Sequence, residues 1–168
     1  MRAIVSRVDR PLIVNLADAP ARRHPRRATQ IDWEPEGDPW PDTGVNVQIM
    51  QPGQPNCRYH SEAVQEDFVV LYGECIAIID DEEHPLKQWD VFHCPAGVAH
   101  VFVGAGTGPC AVLMIGSRRV DECHYPVNAL AARYDASVSS PTDEPDEAYA
   151  DMQPDAWEPV ASPWPPRG

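Results

Sequence analysis

The chain has 168 residues, 43% of them hydrophobic and 23% charged, with a formal net charge of −13. That length suits one domain with a real core and some chain left over. The negative charge repels phosphate backbones and anionic lipid, so neither nucleic acid nor a membrane is expected as a partner.

No apolar run approaches bilayer length and no signal-like stretch follows Met1, a pattern expected of a soluble, cytoplasmic protein. Five cysteines (Cys57, Cys75, Cys94, Cys110 and Cys123) are odd in number and form no CxxC pair. Reduced thiols are expected, with neither a zinc ribbon nor a disulfide framework.

In chain order, residues 1–44 read as an N-terminal arm holding seven of the thirteen basic residues, with "ARRHPRRA" at 21–28 as a solvated segment pairing loosely with the acidic excess. Residues 45–118 carry the punctuation of an all-β domain. The runs "VNVQIM" (45–50), "DFVVLYG" (67–73), "CIAIID" (75–80), "VFHCP" (91–95), "HVFVGAG" (100–106) and "CAVLMIGS" (110–117) are rich in β-branched and aromatic residues. The stretches "QPGQP", "DDEE" and "GAGTGP" supply turns.

Closing such strands into a barrel or double-sheet jelly roll protects their edges. Residues 119–134 hold the only helical pattern, "PVNALAARY" at 126–134. Residues 135–168 carry eight acidic residues against the single Arg167, and seven of the nineteen prolines. That composition cannot bury enough surface to offset its ordering entropy, so the segment reads as a strap on the surface or a free tail, with Trp157 and Trp164 available for docking.

The stretch "YHSEAVQEDFVVLYGEC" (59–75) concentrates the chemistry. Strand alternation puts His60 and Glu62 on one face, and after a turn Glu66 shares a face with Phe68 and Val70. If both faces turn inward, one histidine and two carboxylates converge at the end of an apolar cavity. Burying that charge calls for a cation. His100, after the tight "PAG" turn at 95–97, is the candidate for a further ligand.

These residues resemble the cupins. The spacing Gly53, His60-x-Glu62, Glu66, Gly73 is similar to the first motif of that family, and Pro95, Gly97 and His100 match its second motif. The resemblance covers about residues 45–116 and implies a cupin-type double-stranded β-helix, a jelly-roll barrel flanked by the two arms.

Three positions depart from the pattern: Glu62 replaces a histidine, Trp89 replaces a glycine and Gly104 replaces an asparagine. The matching positions imply His60, Glu66 and His100 as ligands of one divalent metal, of a type suiting iron, manganese or zinc. Glu62 is either a fourth ligand or a general base with a catalytic role.

Taken alone, Glu62 and Glu66 also read as solvated residues of a charged turn with Gln65 and Asp67. His24, His84 and His124 read as surface residues, His93 as a strand histidine satisfied by a backbone carbonyl, with the cavity mouth within its reach, and Cys57 as facing away from His60 unless a bulge intervenes. Cys94 adjoins the turn and has the better chance of lining the site.

Two functions are compatible with this pattern. One is a metal-dependent enzyme acting on a small oxygenated molecule, by dioxygenase or isomerase-like chemistry. The other is a non-catalytic small-molecule binding or sensor module. The missing helix-turn-helix and basic face favour the enzyme. The resemblance also implies a homodimer, with Trp33, Trp40, Trp157 and Trp164 in the arms available to an interface.

Overall fold

The computed structural model describes residues 11–34, 39–120, 122–152 and 156–166. Arg2, Arg7 and Arg10 of the basic arm, and Asp155 and Arg167 of the tail, lie outside the described residues. Twelve strands form among those described: β1 (Ala21–His24), β2 (Arg27–Ile31), β3 (Thr43–Met50), β4 (Ser61–Glu62), β5 (Glu66–Tyr72) and β6 (Glu74–Ile79), then β7 (Glu82–Lys87), β8 (Val91–Cys94), β9 (His100–Gly104), β10 (Cys110–Ser117), β11 (Cys123–His124) and β12 (Glu158–Val160).

A seven-stranded sheet runs in the order β12-β1-β2-β3-β10-β5-β8, faced by a three-stranded sheet β7-β6-β9, with β11-β4 as a separate pair. Every strand pairing is antiparallel. This is the jelly-roll barrel expected from the six β-rich runs, each of which forms a strand at its expected place.

Alternation decides which side chains meet. Met50, Phe68, Val70, Phe102 and Val112 pack between the facing sheets. Phe68 and Phe102 have ring centroids 4.7 Å apart, and burying each contributes about 1.5–3 kcal/mol. On β3, Val47 and Ile49 instead turn outward and pack with Ala21 and Ile31 of the arm and with Trp164 of the tail. The polar neighbours Asn46 and Gln48 on the opposite face of β3 line a cavity inside the barrel.

Several local expectations are corrected. The helix expected over 126–134 is only a 3-10 turn, Ala131–Tyr134, and the one α-helix among the described residues is α1 (Pro145–Ala148). "EEHPLK" at 82–87 is the exposed strand β7 rather than a continuation of the turn; Asp80 and Asp81, both at positive φ, make the hairpin connection before it. His24 is buried, with its Nδ1 accepting the Arg26 N–H at 3.1 Å and its ring 5.2 Å from Trp157. The indole of the tail covers it, which the sequence around His24 cannot show.

Both arms lie on the barrel: β12 pairs β1, β1 pairs β2 and β2 pairs β3. Arg22 and Arg27 stack on Trp157 at 5.5 and 4.9 Å, and Arg26 pairs with Asp135 and Asp151. Basic arm and acidic tail thus meet directly. No helix among the described residues is long and apolar enough to cross a membrane.

Candidate metal centre

His60 and His100 are cross-strand partners. The His60 N–H donates to the His100 carbonyl at 3.1 Å and the His100 N–H to the His60 carbonyl at 2.8 Å. Their side chains therefore leave the same face, with ring centroids 5.1 Å apart. Glu62 follows on β4, and Glu66 opens β5 where it pairs with Cys94 of β8 and Gly116 of β10. All four residues expected from the sequence line one cavity of about 710 Å³, within the range of small-molecule sites.

Each histidine has one ring nitrogen already committed. Nδ1 of His60 lies 2.8 Å from the Arg58 carbonyl, and Nδ1 of His100 lies 3.2 Å from the Val98 carbonyl. A carbonyl only accepts, so both Nδ1–H groups donate and both Nε2 atoms are left facing the carboxylates. Nε2 of His60 is 3.7 Å from Glu62, and Nε2 of His100 is 3.4 Å from Glu66. His60, Glu66 and His100 offer donor atoms that lie within 4.8 Å of one another, a group able to hold an ion. Histidine ligands oriented by backbone carbonyls are the usual second layer of a metal site.

The electrostatics differ among the three, with His60 favoured charged and His100 neutral. Burial, reinforced by the charge of Glu62, raises the Glu66 carboxyl from 4.5 to about 7, against a smaller opposing effect of His60. Burial, with His60 nearby, lowers His100 from 6.5 to about 4, so its imidazole is neutral at pH 7. Burial also opposes a charge on His60, but Cys57 and Glu62 beside it outweigh burial and leave it raised. A buried carboxylate whose charge is disfavoured, beside a neutral imidazole with a free lone pair, is a donor set that a divalent cation fits.

Other residues fall where the sequence did not put them. Cys57 lines the cavity, its sulfur 3.5 Å from Nδ1 of His60. The chain bends at residues 56, 57 and 59, so strand alternation does not apply there. Cys94 is buried with its sulfur 3.4 Å from Nδ1 of His100, supporting the ring from behind. His93 points outward to Asp67 at 2.7 Å.

Cys123, Tyr125 and Tyr149 complete the far wall, with Tyr125 ring to ring 5.8 Å from His60. All three come from beyond the barrel, and no motif spacing links them to the site. Arg58, 3% exposed, is a further residue without a sequence signal. Its guanidinium binds the carbonyls of Asp135, Ser137 and Ala148 and the carboxylate of Asp151, while its backbone N–H donates to the Tyr149 hydroxyl.

The profile of a cupin domain matches residues 46–116, a stretch that contains His60, Glu62, Glu66 and His100. Residues 46–116 are thus a cupin domain. Solved structures agree in fold. The polyketide cyclase RemF from Streptomyces resistomycificus aligns with 15% identity and a TM-score of 0.60, covering 86% of this chain and 95% of that one. A sugar phosphate isomerase from Silicibacter pomeroyi aligns with 24% identity and a TM-score of 0.52, covering 67% of this chain and 85% of that one.

A candidate sugar phosphate isomerase from Acidithiobacillus ferrooxidans aligns with 22% identity and a TM-score of 0.50, covering 58% of this chain. The match spans 64% of that protein's length. Comparison with the curated proteins yields no match. At these identities the likeness is one of fold.

Proposed function

We propose that this cupin is a metal-dependent enzyme acting on a small oxygenated molecule, with His60, Glu66 and His100 holding one divalent ion of iron, manganese or zinc. The observation that carries the reading is the pair of histidines whose Nδ1–H groups are tied to backbone carbonyls, leaving both Nε2 atoms turned toward carboxylates. Two imidazoles and one carboxylate with open positions suit these metals. Such an ion supplies Lewis-acid polarisation of a carbonyl or enediol, or a platform for dioxygen.

The chain's own residues do the rest. Glu62, 32% exposed and facing the cavity, holds or moves a proton within reach of a bound substrate. Phe68 and Met114 give the cavity an apolar floor, while Asn46 and Gln48 of β3 offer amide groups for orienting oxygen atoms. The structural neighbours include a polyketide cyclase and sugar phosphate isomerases, and a small oxygenated substrate is in keeping with those names.

The reading includes a homodimer, supported by the exposed apolar strip at Leu12 and Ile13, which are 53% and 99% exposed. Sedimentation that finds only monomer at high concentration removes the dimer. The metal is tested by elemental analysis of protein purified without chelator, followed by stripping and reloading. A stoichiometric ion whose removal lowers the melting temperature and abolishes turnover is expected. Protein that carries no metal and takes up none overturns the proposal.

A further inference from the structure

Strand β4 stands between two partners. On one side His60, immediately before it, pairs with His100. On the other side Glu62 is the direct cross-strand partner of Cys123 on β11. Residues two apart on a strand share a face, and so do directly opposed residues of an antiparallel pair. The β4–β11 ladder therefore presents His60, Glu62 and Cys123 on one surface, and all three line the cavity.

Their donor atoms, an imidazole nitrogen, a carboxylate oxygen and a thiol sulfur, lie within 4.8 Å of one another. Ligands around a tetrahedral zinc stand about 3.3–3.8 Å apart, so closing on an ion asks for movements of about 1 Å. Glu62 is 32% exposed and is the side chain with most room to close on an ion.

We propose that the cavity has a second metal position, formed by His60, Glu62 and Cys123, which takes a thiophilic divalent ion such as zinc with Cys123 bound as thiolate. The proposal rests on the reading of the cavity as metal-binding, because His60 serves both positions. Nδ1 of His60 is committed to the Arg58 carbonyl, so Nε2 is the shared donor and the two positions compete for one ion. Binding at the second position releases the Cys123 thiol proton to solvent and forms a metal–sulfur bond, with no change of oxidation state. Hard ions such as manganese take the carboxylate and two histidines, whereas soft ions recruit the sulfur. Ligand softness thus selects the position.

Cobalt(II), a stand-in for zinc with visible spectra, tests this on the full chain after chelator treatment. Ligand-field bands report any bound cobalt, and a near-ultraviolet charge-transfer band reports a thiolate on it. The wild type is expected to show both, with one cobalt per chain. Cys123→Ser is expected to lose the charge-transfer band and keep ligand-field bands through His60, Glu66 and His100. Cys57→Ser and Glu66→Gln are expected to keep the charge-transfer band.

Alkylation of the unmodified protein supplies a measurement that needs no variant: zinc is expected to abolish labelling of Cys123 by iodoacetamide, as mapped by mass spectrometry. Cobalt bound without a charge-transfer band, a band that survives Cys123→Ser, or unchanged labelling overturns this proposal and leaves the first site standing. No cobalt bound at all overturns both.

Discussion

Glu66 and His100 project from the sheets themselves, whereas His60 and Glu62 project from a two-residue strand and its lead-in. β5 is paired on both sides, by β8 and β10, and every residue of β9 is buried. The opposite wall is held by its neighbours from the far end of the chain. Arg58 ties residues 135–151 to the segment before His60, and its carbonyl orients the His60 ring. One half of the site is therefore built into the barrel, and the other is tied to the barrel through His100 and also leans on the strap that covers it. A metal held as proposed would join the two.

Cutting the strap gives the largest expected effect. Arg58→Met keeps an apolar stem but leaves three backbone carbonyls without their donor, and a loss of about 3 kcal/mol is expected in chemical denaturation at roughly 1 kcal/mol for each bond. The Asp151 partner is 57% exposed and adds little, because water replaces the guanidinium. A loss below about 1 kcal/mol would show that the strap does not hold this wall.

The sheet-built wall is probed by pH on metal-free protein. Glu66 has its folded value raised from 4.5 to about 7, so the native state holds the proton more tightly and stability falls as pH rises between those values. His100 has its folded value lowered from 6.5 to about 4, so stability rises with pH across about that window. Each effect is worth about 3 kcal/mol, and they oppose one another over most of the range. Wild-type stability is expected to be nearly flat from these two groups, while Glu66→Gln unmasks a rise toward neutral pH. A Glu66→Gln profile as flat as the wild type removes the assignment.

A smaller effect compares the carboxylates of the two walls. Glu66→Ala is expected to weaken binding of a hard ion such as manganese by about ten- to a hundredfold. Glu62→His should preserve metal binding and shift preference toward softer ions. Equal affinities and preferences in both variants, measured by metal titration, would reduce the acidic pair to a charged turn.

The smallest effect lies outside the site. Trp89 occupies the position where the resemblance calls for glycine, and its backbone is left-handed at φ 77 with the side chain 70% exposed. Trp89→Gly is expected to stabilise the protein by about 1 kcal/mol, since the left-handed conformation costs a residue with Cβ roughly that much. Thermal denaturation of the variant checks it, and a lower melting temperature would mean the indole is anchored to something. Gly104 is the converse case: a Cβ there would stand 2.2 Å from the Gln51 carbonyl oxygen, so the asparagine of the resemblance has no room in this chain.

The residues expected from spacing were legible because the information is local. Pro95 and Gly97 shape the turn that leads to His100 at the start of β9, and His60, Glu62 and Glu66 are placed by alternation and a single short connection. The same locality made the six β-rich runs readable as strands. Whatever depended on pairing between distant segments was not readable: His24 became buried because Trp157 lies on it, and β3 turned its apolar residues outward because the arms cover that face.

Cys123 stands opposite Glu62 by the register of two strands sixty residues apart. Strand periodicity and turn chemistry, properties of neighbouring residues, let the sequence by itself determine the barrel and four residues facing into it. The second wall, the tie through Arg58 and the sulfur beside His60 were decided only in the tertiary structure, because register between remote strands is chosen by packing the whole chain, not by any stretch of it.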